Sequence, residues 1–287
     1  SPEFNATQTK INRLKQAAKN ALTTGAGKID DQDLIMLFGL FSEVRPFIKL
    51  QYPGIVDLEI YNFTATNDPD IINAIHPDIL AELVNRLYGN EAGKNIIRNK
   101  LFYDNLNSEA VVSLLLSGKI NVNAAHDILA LRSDKFGSAR LLLALEDCDA
   151  FKTKEGANFS SLFTNEELGM MTKDIAKSML IEQDNTVVAV ENTEFNALGW
   201  IDLLKSQGAV KTAEILYYAQ LNSKDIRGTC ARYIIQTIGK DEKFYGFLRE
   251  LEATVWNNFQ AQSTENHDAY TAAFRVWSAV YLSFYNQ

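Results

Sequence analysis

Cysteine is almost missing from this sequence: Cys148 and Cys230 are the only two in 287 residues. A disulfide-stapled secreted domain carries more, closely spaced, so that class is excluded. Two buried free thiols in a reducing compartment, the cytoplasm, are expected instead; for a secreted parent protein the host cytoplasm fills the same role. Proline is also scarce, five in all, which suits a helical chain because proline breaks helix interiors. No apolar run approaches the roughly 18 residues of a membrane-spanning helix. The richest, from Leu34 to Leu40, is short and holds Gly39. No basic run exceeds two residues and the net charge is −8. The phosphate-neutralising face of a nucleic-acid binder is therefore not expected, nor is docking on an anionic membrane.

Phosphate loops are missing too. Thr24-Gly25-Ala26-Gly27-Lys28 has the glycines and a lysine. It follows a helical stretch, lacks the Gly-x-x-x-x-Gly-Lys-Ser/Thr spacing, and places Ile29 where the hydroxyl belongs, so a helix end and turn explain it. No Gly-x-Ser-x-Gly elbow occurs. No cofactor is expected.

What is present is hydrophobic residues at helical spacing. The 46% hydrophobic and 22% charged content fits a chain that buries a core. Ile11, Leu14, Ala18 and Leu22 share a face, as do Ile79, Leu80, Leu83, Val84 and Leu87. Asn107, Asn123, Ser133-Asp134 and Thr164 open further helices, the last through a capping box with Glu167. Later faces are Phe195, Leu198, Ile201 and Leu204 up to Gly208, then Val210, Ala213, Ile215, Leu216 and Leu221. Ile226, Cys230, Tyr233, Ile234 and Ile238 follow, and then Phe244, Phe247, Leu248, Leu251, Val255 and Phe259. The last helix carries Tyr270, Ala273, Phe274, Trp277, Val280, Tyr281 and Phe284. Two short runs read as strands, 55–61 and 186–190.

These patterns predict an all-α fold: an irregular multi-helical array or α-solenoid-like bundle, with at most one minor two-stranded β element. No fixed repeat period is found. Residues 1–4, Ser-Pro-Glu-Phe, read as a cloning remnant, which makes the chain a fragment of something larger. Residues 5–151 form an N-terminal helical region, 152–192 a loop-rich connection with short helices, and 193–287 a C-terminal helical region, with one continuous domain as the alternative.

Chemistry-bearing residues are few. The three histidines are His76, His126 and His267. His76, His126-Asp127 and a later acid such as Asp174 resemble, in order only, the His, His-Asp and Asp of the HD-type metal phosphohydrolases. That resemblance implies a metal held by His76, His126 and Asp127 that activates water. The competing reading puts His126 and Asp127 on the polar side of a short helix whose other side holds Ile128 and Leu129. Cys148 lies among acids at a helix C-terminal end, which disfavours a thiolate nucleophile. Trp256, Trp277, Tyr281, Phe284 and Tyr285 have helical spacing and are expected mostly in the core. Tyr217 and Tyr218, adjacent on one helix, cannot share a side, so one is expected at the surface as a protein contact.

The sequence therefore leans away from an enzyme and towards a non-enzymatic module that binds another protein. Asn, Ile, Lys, Tyr and Phe are abundant, as in proteins of AT-rich genomes. With the fragment-like ends, this suggests a secreted bacterial effector, a virulence protein that engages a host protein. A metal-dependent helical hydrolase on His126-Asp127 is one alternative. A regulator of a small GTPase, which leaves no readable motif, is the other.

Overall fold

The computed structural model describes residues 100–183, 186–189, 195–223 and 241–285. Outside these it describes Thr9, scattered positions between Asn73 and Arg98, and Arg232 and Ile235. The expected helices before Asn73, the 55–61 strand, His76, and the 226–238 helix with Cys230 (Ile235 apart) lie outside the described residues. The chain divides into two compact units, 1–133 and 134–287.

The described elements are all-α apart from one small hairpin. In the first unit they are α1 (Lys100–Asn105), α2 (Ser108–Leu116) and α3 (Val122–Leu131). In the second they are α4 (Lys135–Leu145), α5 (Asn165–Ser178), β1 (Leu180–Gln183), β2 (Thr186–Ala189), α6 (Ala197–Gln207), α7 (Ala209–Leu221), α8 (Tyr245–Gln260) and α9 (His267–Tyr285). The strands pair antiparallel, Leu180 opposite Ala189 and Gln183 opposite Thr186. The expected 186–190 strand thus exists, and its partner is the segment leaving α5.

Capping side chains set the helix starts by satisfying backbone N–H groups that have no partner inside the helix. Asn107 accepts from Ala110 N–H at 2.8 Å, Asp134 from Gly137 N–H at 2.8 Å, and Asn196 from Gly199 N–H at 2.9 Å. Thr164 and Glu167 form the expected capping box. The cap of α3 is Asn121, two residues before the expected Asn123; its carboxamide accepts from Asn123 N–H at 2.9 Å. Gly208, at φ +86°, separates α6 from α7 in a conformation that side chains disfavour.

The first unit repeats one bracing device. Asn73 donates to the Asn105 carbonyl at 2.9 Å and accepts from Asn107 N–H at 2.9 Å. Asn85 does the same for Lys119 and Asn121, at 2.8 and 2.7 Å. Each carboxamide ties down the turn before a helix 34 or 36 residues downstream of it. Buried Arg132 donates to the Tyr103 and Leu106 carbonyls at 3.0 and 2.6 Å, placing a cation at the negative end of α1. Around these braces Leu80, Val84, Val111, Leu114, Ile128 and Leu129 are buried.

In the second unit α5 lies against α7, and α8 and α9 form a hairpin that packs on α7. Trp200, Phe159 and Phe244 are fully buried. The Trp200 indole donates to the Thr172 hydroxyl at 3.1 Å, and that hydroxyl donates to the Leu168 carbonyl at 2.8 Å. Buried Glu146 holds the 147–160 segment: one carboxylate oxygen accepts from Ser160 N–H at 2.8 Å, the other from the Ser160 hydroxyl. Gln207 adds a donation to that hydroxyl at 2.9 Å. Leu198, Val210 and Leu221, expected on buried faces, are exposed: each lies at or near the end of its helix, past where the neighbouring helices cover it. Cys148, expected to be buried, is exposed at the turn that leaves α4.

Candidate interaction surface

Three places inherit the expectations above: His126-Asp127, Tyr217-Tyr218, and the C-terminal aromatics.

Asp127 is buried on α3, so its expected place on a solvated polar side is corrected; Ile128 and Leu129 beside it are buried as well. The carboxylate is affordable there because donors surround it. His126 Nδ1 lies 2.9 Å from Oδ1, Arg98 Nε donates to Oδ2 at 2.9 Å, and the Tyr88 hydroxyl donates to Oδ2. The Tyr88 and Tyr103 hydroxyls lie 3.5 Å apart. Burial pushes the Asp127 carboxyl upward, but the hydrogen bonds from His126, Tyr88 and Arg98 outweigh it and lower it to about 2. Burial, then the bond to Asp127, drives the Tyr88 hydroxyl far above its ordinary value. Burial, then Tyr88, does the same to Tyr103. A carboxylate with both oxygens engaged, beside two phenols that stay protonated, ties α3 to the segment before it.

Sequence reasoning missed Tyr88, Arg98 and Tyr103, which no local pattern links to Asp127. Among the described residues no three His, Cys, Asp or Glu side chains stand where they could hold a metal ion. His76 lies outside those residues. Asp174, in the second unit, has Lys173 Nζ at 3.8 Å. His267 begins α9.

Tyr217 and Tyr218 are both half-buried on α7, their rings 5.4 Å apart and edge to face. Tyr218 runs along α5, where Gly169 permits close approach: a methyl added at Gly169 would lie 2.8 Å from the Tyr218 Cβ. Burial, then Tyr218, raises the Tyr217 hydroxyl. Tyr218 thus serves the α5–α7 contact, and both rings keep part of their surface open.

The third place differs from expectation most. α9 buries Ala269, Ala272, Ala273, Val276, Ala279, Val280 and Ser283. At 100° per residue these lie on one side of the helix, and Tyr270, Phe274, Trp277, Tyr281 and Tyr285 fall within about 80° on the other. The small residues face inward and the large ones outward. Phe274 is 44% exposed, Tyr281 41% and Tyr285 61%, and Trp256 on α8 is 38% exposed. The expectation that these rings are mostly core is corrected: α7 and α8 meet the alanine side of α9, and only small residues allow that close approach.

The rings support one another. Trp256 and Trp277 centroids are 5.0 Å apart; Phe259 stacks on Trp277 at 5.6 Å and meets Tyr270 at 5.1 Å; Tyr281 and Tyr285 are 4.5 Å apart. These spacings are in the favourable range for aromatic pairs, so the face is a continuous, mutually braced ladder. Its sequence signal was available: alanines alternate in phase with aromatics through 269–283.

Compared with known protein families, with curated proteins and with solved structures, the chain matches none. No helix among the described residues is long and apolar enough to cross a membrane.

Proposed function

We propose that the chain is a non-enzymatic interaction module whose binding surface is the aromatic ladder of α8 and α9. The observation that carries this reading is the inverted burial of α9, alanines inward and aromatics outward. Water-facing apolar surface raises the free energy of a folded chain, and contiguous patches of several hundred Å² mark interaction sites. Trp and Tyr are the residues enriched at such contacts because they bring large area at small entropic loss. The polar groups that gather on Asp127 are the donors Tyr88, Arg98 and His126, which already occupy both carboxylate oxygens, and this supports the interaction reading over a hydrolase that would use that carboxylate as a metal ligand. No specific observation favours a GTPase regulator.

The test places a photo-crosslinking amino acid at Trp277 of the full chain and illuminates it in cell extract supplemented with unlabelled chain. Discrete adducts, to a second protein or to the added chain, are expected, and they disappear in a Phe274→Glu background but persist with Leu198→Glu, an exposed site on α6. Absence of discrete adducts, or adducts indifferent to Phe274→Glu, refutes the proposal.

A further inference from the structure

We infer that the occupant of the ladder is a second copy of this chain, joined to the first by two-fold antiparallel pairing of α9 with α9. The inference rests on the interaction reading above and names its partner. Three observations carry it.

The first is area. Fully covered aromatics bury roughly 150–250 Å² each, so the exposed fractions of Trp256, Phe274, Tyr281 and Tyr285, with the half-buried Phe259, Tyr270 and Trp277, leave on the order of 500 Å² of apolar surface open. A standard stable interface buries about 800 Å² per partner, a little over half of it apolar. The ladder supplies the apolar share of one such interface.

The second is shape. From Tyr270 to Tyr285 the ladder runs straight along one helix for about 22 Å. A two-fold axis through its midpoint, near Trp277 and Ser278, lays each row of rings against the same row reversed. That is the self-complementarity an isologous interface requires. Aromatic rings also suit one another as partners, through edge-to-face and offset contacts.

The third is charge. The chain carries a net charge of −8, which opposes self-association wherever acids meet. Between Ala269 and Tyr285 α9 has no acidic residue, and Arg275 is its only charge. The ladder is thus a stretch of α9 where two copies can approach without acid meeting acid. It also lacks the charges that a strongly acidic or basic foreign partner would need for recognition.

Sedimentation velocity on the full chain between about 1 and about 100 μM tests this, since interfaces of this size commonly close in that range or below. A concentration-dependent or complete dimer is expected, with Phe274→Glu and Tyr281→Glu each weakening it at least about tenfold and Leu198→Glu leaving it unchanged. Circular dichroism on each variant separates loss of dimer from loss of fold. Geometry gives an independent readout in a Cys148→Ser, Cys230→Ser background. Ser278→Cys lies beside the axis, and a short bis-maleimide reaching about 10 Å joins it to its copy across two packed helices. Thr271→Cys, whose copies would sit about 20 Å apart, is not joined. A chain that stays monomeric across the range, or crosslinking by Thr271→Cys in preference to Ser278→Cys, overturns the inference. If the chain is monomeric but Trp277 adducts to a foreign protein still depend on Phe274, the second copy is wrong and the interaction reading survives. If neither dimer nor adduct forms, both fall.

Discussion

Replacing Asp127 with asparagine keeps the shape of the side chain and removes the charge to which Tyr88, Arg98 and His126 direct their hydrogen bonds. Its magnitude follows from the carboxyl's position. The folded state holds it at about 2, against an ordinary value of 3.8. At about 1.4 kcal/mol per tenfold change in proton affinity, the charged form contributes on the order of 2.5 kcal/mol. The lowered value fixes the sign: this stability is fully present above the unfolded value near 3.8, and it is lost as pH falls through about 2. Amide hydrogen exchange read by mass spectrometry suits the test, because peptides from α3 report the first unit and peptides from α8 serve as an internal control in the second. Near neutral pH, Asp127→Asn is expected to lower α3 protection by roughly 2.5 kcal/mol, approaching a hundredfold in opening equilibrium, with α8 unchanged. The wild-type advantage then shrinks between about pH 4 and about pH 2. Equal protection near neutrality, or an advantage that persists below about pH 2, refutes the electrostatic account of this cluster.

Two further predictions concern the second unit. Glu146→Ala leaves the Ser160 N–H and hydroxyl without their carboxylate; it is expected to destabilise the unit by about 2–3 kcal/mol and to open the 147–160 segment to trypsin at Lys152 and Lys154 before the helices are cut, whereas cleavage at the wild-type rate refutes it. Gly169→Ala drives a methyl to within 2.9 Å of the Ile215 carbonyl and 3.0 Å of Ala219 N, and is expected to cost about 2–3 kcal/mol in thermal unfolding. Gly246→Ala on α8 meets nothing within 4 Å and is expected to gain up to about 1 kcal/mol, so equal effects of the two would sink the steric argument.

Local rules made much of this fold legible. Asn107, Asp134 and Thr164 act as caps because a short side chain with an acceptor, placed before an apolar period, needs no distant partner to do so. The buried face of α8, with Phe247, Leu248, Leu251 and Val255, follows from spacing in the same way. Long-range polar contacts left no such trace. Asp127 collects Tyr88 from 39 residues away and Arg98 from 29, and Glu146 reaches Ser160 across a turn-rich segment. Nothing about a lone His-Asp dipeptide indicates whether a metal or three side-chain donors will answer the carboxylate. Cys148 was misplaced for a related reason: cysteine's apolar character argues for burial, but the chain leaves α4 at that point and the thiol goes with the turn.

The misreading of α9 has a different cause. Periodicity identifies that a helix has two sides, and hydrophobicity scales then assign the greasier side to the interior. On α9 both sides are apolar: one is alanine and valine, the other aromatic. Size decides between them. A helix that must lie close to two neighbours, here α7 and α8, gains by turning its alanines inward, because packed backbones keep dispersion contact that a row of indoles and phenols would prop apart. Outward rings then recover only part of their burial from one another, as the Trp256, Phe259 and Trp277 contacts do. A helix with alanine in phase on one side and aromatics on the other therefore carries two packing surfaces, a tight one used within the fold and a broad one left over. Where that leftover surface approaches the apolar area of a standard interface, selection for stability alone does not explain it, since polar replacements on the water side would cost the fold little.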